Sequence, residues 1–143
     1  MARHPKSSRL RVFLNGRLVG LLSRKSTGAI SFNYDCEWLS WEHALPVSLS
    51  LPLREDAYVG SSVTTVFDNL LPDNDTIRQR IAQSVAAEGV DAFSLLSSLG
   101  RDCVGALQFL ADEIDTSPVG SINGVAITDD EIGQILSDLQ GAP

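Results

Sequence analysis

Lysine, histidine and cysteine are nearly missing from this 143-residue chain, which holds only Lys6, Lys25, His4, His43, Cys36 and Cys103 of those three types. The cysteines lack CxxC spacing, so neither a disulfide framework nor a zinc knuckle is supported, and both are expected to be reduced structural thiols. Two imidazoles, one of them in the terminal segment, leave almost nothing from which to build a histidine metal site or a Ser-His-Asp triad. That removes most hydrolases. There is no GxxxxGK[ST] or GxGxxG loop to cradle a phosphate, and signatures of the VAIK, HRD and DFG kind are missing too, so the chain alone is not expected to transfer phosphate. No catalytic, cofactor-binding or metal-binding residue is expected. No run approaches the ~18–20 consecutive apolar residues that span a bilayer, and the first residues lack the apolar stretch of a signal peptide. A soluble, cytoplasmic protein is the expectation.

Basic residues are missing from one part only. Residues 1–101 hold all 11 Lys and Arg against 10 Asp and Glu, whereas residues 102–143 hold eight acids and no base, giving the net charge of −7. A chain of this balance has no global attraction to phosphate backbones, so direct nucleic-acid binding is not expected. Arg3, Lys6, Arg9 and Arg11 form a short basic arm, read as a solvated terminus. With 43% hydrophobic and 20% charged residues the composition is that of an ordinary globular chain, and the length suits one domain with a tail.

Leu10–Asn15 and Leu18–Ser23 are β-prone runs whose Asn15-Gly16 junction supplies the φ > 0 positions of a tight hairpin. Ala29–Tyr34 alternates, with Ile30, Phe32 and Tyr34 on one face, and reads as a third strand. Trp38 and Trp41 suit one helical turn or an irregular link before Pro46. They are expected to be partly buried, with a binding anchor as the alternative. Val47–Leu53 alternates and reads as another strand, with Pro52 favouring an edge or a strand end.

Ser61 or Ser62 is expected to cap a helix carrying Val63, Val66, Phe67, Leu70 and Leu71 up to Pro72. Asp73 or Asp75 is expected to cap a second, with Ile77 and Ile81 on one face, and Asp91 a third, Ala92–Leu99, with Gly100 as a left-handed C-cap. Cys103–Leu110 reads as a strand returning to the sheet. Thr128-Asp-Asp-Glu131 has capping-box spacing and introduces Ile132, Ile135, Leu136 and Leu139, an amphipathic helix whose apolar face must pack on something. Strands first, then helices, then one strand argue for an α+β domain: a small antiparallel sheet with helices on one face. Its parts are read as a flexible basic arm (1–9), the α+β domain (10–111), an acidic Gly/Ser/Pro linker (112–126) and a terminal amphipathic helix and tail (127–143).

Asp68, Asp73 and Asp75 form a local acidic cluster that could serve acid–base work, but helix caps and solvation account for it more simply. Arg101 could meet a carboxylate or phosphate, and a structural bridge to an acid inside the domain is the simpler reading.

Phe67-Asp-Asn-Leu-Leu-Pro-Asp73 and Ser98-Leu-Gly-Arg-Asp-Cys-Val-Gly-Ala106 resemble two segments of the N-terminal subdomain of the HipA toxin-kinase family. The hairpin around Val12–Gly20, the Phe32–Leu39 stretch and Pro46–Leu53 fall in the same order as in that family, so the resemblance runs from about residue 10 to 140. Full-length members are serine/threonine kinases of bacterial type II toxin–antitoxin modules that act on aminoacyl-tRNA synthetases. None of their catalytic motifs is present in this chain. The resemblance therefore implies a non-catalytic partner of a HipA- or HipT-like kinase lobe, binding and restraining it as HipS-like proteins do. The alternative is an N-terminal fragment of a full-length kinase, in which a HipB-like DNA-binding antitoxin would be a further partner. Trp38, Trp41, Phe67, Asp68, Asn69, Leu70 and Arg101 are the candidate partner-binding residues.

Overall fold

The computed structural model of the protein describes residues 8–102, 105–112 and 124–141. Strands β1 (Arg9–Leu14) and β2 (Arg17–Arg24) form the expected hairpin, turning through Asn15 and Gly16 at φ 49° and 77°. Both positions are left-handed, the geometry that matches the strands' own twist. β3 (Ile30–Tyr34) pairs with β2, the two-residue β4 (Tyr58–Val59) pairs with β3, and β5 (Leu107–Ala111) returns beside β1. The sheet order is β4-β3-β2-β1-β5 with every pairing antiparallel, so the domain is α+β as expected.

Direct partners across an antiparallel sheet share a face. The registers Leu10↔Leu22 and Leu22↔Phe32, and Phe109↔Val12, Val12↔Gly20 and Gly20↔Tyr34, therefore build one apolar face. The helices α2 (Ser61–Asp68) and α4 (Ala92–Leu99) pack on it, α2 through buried Val63 and Phe67, and α4 through Phe93, Leu95 and Leu96. Between them α3 (Asp75–Ser84) buries only Ala82, so Ile77, expected on a packed face, is largely exposed. Arg24 ties β2 to the start of α4. Its guanidinium lies over the Phe93 ring at 4.5 Å, donates to Ser94 Oγ at 3.0 Å, and faces Asp91 and Glu88 at 3.5 and 3.8 Å.

The expected strand over 47–53 is an irregular loop instead. Pro46 and Pro52 bracket it without ladder N–H groups, and Ser48 competes for the backbone: its Oγ accepts from Ser50 N at 3.2 Å and its carbonyl from Leu51 N at 3.0 Å. The edge falls to β4, which the sequence reading passed over. The caps shift as well. Gly60, at φ 87°, precedes α2 with no side-chain cap, placing Ser61 and Ser62 inside the first turn. Asn74, not Asp73 or Asp75, caps α3 by accepting from Thr76 N and Ile77 N at 2.9 and 3.1 Å. Asp91 caps α4 as expected. The return strand starts at Leu107, with Cys103 and Val104 outside the described residues, as are residues 1–7 of the arm (1–9) and 113–123 of the linker (112–126). Arg9 and Arg11, read as part of a solvated terminus, belong instead to β1, where Arg11 faces Asp112 at 3.7 Å.

The last helix, α5 (Asp129–Gly141), starts with a formed capping box. Glu131 N donates to Thr128 Oγ1 at 3.3 Å, while Thr128 N and the Thr128 hydroxyl donate to Glu131 Oε2 at 2.7 and 3.0 Å and hold the Glu131 carboxyl below the usual carboxylate range. Among the described residues no helix is long and apolar enough to cross a membrane.

Gly100 is not a left-handed cap. Its φ is −64°, and it opens a single 3-10 turn (Gly100–Asp102) that lies against β5. A Cβ at Gly100 would sit 2.3 Å from Phe109 Cβ and 2.8 Å from Phe109 O, so the glycine is needed for close approach rather than for a positive φ. Gly100→Ala is expected to destabilise the domain by about 1–3 kcal/mol in urea unfolding. Gly100→Asn, which a left-handed cap would tolerate, is expected to be no better than alanine; recovery by asparagine would show that conformation, not space, is limiting.

Candidate functional site

Three amphipathic aromatic side chains fix the loop that failed to become a strand. Asp35 caps α1 (Cys36–Ser40) and so places Trp38, whose indole is 3% exposed and donates from Nε1 to Leu45 O at 3.1 Å. The Tyr34 hydroxyl donates to Leu51 O and accepts from Val47 N at 3.0 Å, closing the loop on itself. The Tyr58 hydroxyl donates to Pro52 O at 2.6 Å, and Arg54 covers the Tyr58 ring at 3.6 Å while donating to Asp56 O and Ala57 O. Burial pushes the Tyr34 phenol above its ordinary value; the Val47 N–H bond opposes this and Tyr58 adds to it.

The pinned loop buries Leu51 completely and turns Leu49 out at 95% exposure, with Leu45 and Leu53 also exposed on either side. Facing it is α2, set by Phe67. That ring is fully buried between Phe32 at 5.5 Å and Phe109 at 5.8 Å, so the helix turns Thr65, Val66, Asn69 and Leu70 toward the loop. The result is a groove of about 440 Å³, lined by Val47, Ser48 and Ser50 on one side, α2 on the other, and Leu107. Hydroxyls and apolar side chains line it and no charge does, which suits an apolar segment with a few hydrogen-bonding groups better than a charged metabolite.

The seven residues singled out from the sequence fall into separate places. Asn69 and Leu70 line the groove. Phe67 lies in the core behind it and presents no surface. Asp68 is paired with Arg78 Nη1 at 2.8 Å, and Arg78 also donates to Asp68 O at 3.3 Å and Pro72 O at 2.5 Å, locking the α2–α3 corner. The Asp68 hydrogen bond is the main cause holding the Arg78 guanidinium further toward its charged form. The acidic cluster is thus split between an ion pair and a helix start. Among the described residues no group of three or more His, Cys, Asp or Glu could hold a metal ion.

Trp38 and Trp41 pack at 5.2 Å, with Arg17 over Trp41 at 4.2 Å and His43 edge-on to it at 5.5 Å, beside a second, shallow hollow of about 340 Å³. Cys36 lines that hollow and is exposed, so it is no core thiol. Arg101 is exposed on the 3-10 turn, where its carbonyl accepts from Gln108 Nε2 at 3.2 Å. Among the described residues its guanidinium has no ion-pair partner, and the expected internal bridge is not made. The sequence reading missed Tyr34, Tyr58 and Arg78. Their signal was faint: Tyr34 reads as one more apolar position of a strand, Tyr58 falls in a stretch assigned to no element, and Arg78 reads as one more exposed helix base.

The profile of the HipA N-terminal domain matches residues 10–110, the span that carries the sheet, the groove and the pinned loop. The chain belongs to the HipA N-terminal domain family. It is also similar to a Sinorhizobium fredii protein named as a kinase, Y4mE, at 33% identity over 137 residues. That match covers 94% of this chain and 32% of the relative, so this HipA N-terminal domain spans about a third of the length of the curated relative it matches.

Tyr34→Phe is expected to leave the Leu51 carbonyl and the Val47 N–H without their partner and to cost about 1–3 kcal/mol in chemical denaturation. Because the folded phenol titrates above its unfolded value of about 10, the folded state keeps the proton longer. The wild-type stability is therefore expected to be full below pH ~10 and to fall as pH rises through the folded value, and Tyr34→Phe should remove that part of the alkaline loss.

Proposed function

We propose that this chain is a non-catalytic partner domain of a HipA-family serine/threonine kinase in a bacterial type II toxin–antitoxin module, and that it docks on the kinase lobe and restrains it. The observation that supports this reading best is the pinned loop. Hydrogen bonds from three aromatic side chains hold it in a form that leaves Leu49 almost wholly in water beside an uncharged groove. A large apolar side chain held exposed by an ordered loop is a preorganised contact. The family membership and the kinase name of the relative supply the partner's class. Phosphate transfer is assigned to the lobe, because the chain carries none of the phosphate-loop or catalytic-loop motifs that such transfer uses. Asn69 and Leu70 act in the groove. Trp41 and Arg17 form a second contact, while Trp38 and Phe67 serve by holding the two surfaces in place.

A second reading is favoured by the length relation to the relative: the same domain as the N-terminal third of a full-length HipA kinase that phosphorylates an aminoacyl-tRNA synthetase, contacting a HipB-like antitoxin. Docking then occurs within one chain, and the same groove is used.

Adding the chain to a separately produced HipA-family kinase lobe is expected to lower its phosphate transfer in a radiolabel assay. Leu49→Asp, on a fully exposed side chain, is expected to weaken binding by about tenfold or more while leaving the melting temperature unchanged. Unaltered kinase activity at saturating chain would sink the restraining role, and undiminished binding by Leu49→Asp would sink the groove as the contact.

A further inference from the structure

Helix α5 presents Ile132, Ile135, Leu136 and Leu139 along one face, all 41–67% exposed, preceded by Ile127 and Val125 at 50% and 90%. Its polar residues include Asp129, Asp130, Glu131 and Asp138, and no lysine or arginine occurs anywhere in residues 102–143. A 13-residue helix is marginal in water on its own and owes its stability to whatever covers its apolar face. The sheet and the helices α2 and α4 close their core without it.

The comparisons locate the missing cover. The HipA N-terminal domain profile stops at residue 110, before α5. The similarity to the Sinorhizobium fredii relative covers 94% of the chain, about 134 residues, so wherever it starts it reaches α5, and the relative is about three times as long. At least the first turn and a half of the helix therefore belongs to the sequence shared with the longer protein while lying outside the N-terminal domain profile. We infer that α5 is a complementing helix: its Ile132, Ile135, Leu136 and Leu139 face seats in an apolar groove of the kinase lobe flanked by lysine or arginine, a contact separate from the one at Leu49. This rests on the partner class proposed above and adds a second attachment to it. The acid-only helix selects against a second copy of itself, because two such helices would bring like charges together, and it complements a basic rim. The two contacts, joined by the linker, act as one bivalent grip.

The test compares the full chain with Ile135→Asp/Leu136→Asp in binding to the same HipA-family kinase lobe by calorimetry, with Leu49→Asp alongside. The substituted side chains are exposed and outside the core, so the domain is expected to keep its melting temperature. Wild-type binding weakened about tenfold or more by the double variant supports the inference. Wild-type binding that the double variant leaves within twofold overturns it while sparing the docking reading. Absence of wild-type binding overturns both, and an apolar-dye signal or self-association lost in the double variant without the lobe would assign the face to this chain's own surface instead.

Discussion

The structure hangs on one side chain that the sequence offered as a candidate partner contact. Phe67 comes from α2 and stands between Phe32 on β3 and Phe109 on β5, reaching across the sheet from one side of the hairpin to the other. Ring pairs of this kind add to the burial of large apolar area, and here they also fix a geometry. Once Phe67 is seated, the neighbouring positions Val66, Asn69 and Leu70 have only one direction left to face, and that direction is the groove. Arg78 then holds the end of α2 by closing on Asp68 and the Pro72 carbonyl, while Val63 buries its first turn beside the Phe67 anchor.

The opposite wall is built on a different principle. Residues 45–53 have no regular hydrogen-bonded structure, and a loop carries backbone polar groups that must find partners or water. Trp38, Tyr34 and Tyr58 supply those partners with apolar bodies in the core and polar tips in the loop. The same contacts that satisfy Leu45, Val47, Leu51 and Pro52 leave Leu49 with nowhere to go but outward. An exposed leucine on a floppy segment means little, whereas one fixed by its neighbours' hydrogen bonds has already lost the freedom that binding would otherwise take from it.

The chain therefore divides into a closed domain and two outward-facing elements, the loop with its groove and the acidic helix α5. Both are the surfaces that the proposed docking uses. The groove is uncharged, and the ion pairs of Arg78 with Asp68 and of Arg24 with Asp91 and Glu88 join elements of the fold to each other. The chain spans about a third of the length of the kinase-named relative it matches.

The hairpin with its Asn15-Gly16 turn, the alternation of β3, the Asp91 cap and the Thr128–Glu131 capping box could be read from the sequence because each is decided by residues adjacent along the chain. The failures are as instructive. Val47–Leu51 alternates like a strand, but alternation states only which side chains could share a face, and no neighbouring strand edge was offered to it. Gly100 is the C-cap of α4, but not in the left-handed form expected: what demands a glycine there is Phe109, nine residues on and in another element. Phe67 lies on the apolar stripe that its spacing predicts, but helical spacing says only that a face is apolar, not what lies opposite. Local chemistry along the chain determined the elements and their ends. Only the tertiary structure decided which apolar side chains became core and which became surface, because burial depends on partners brought together from distant parts of the chain.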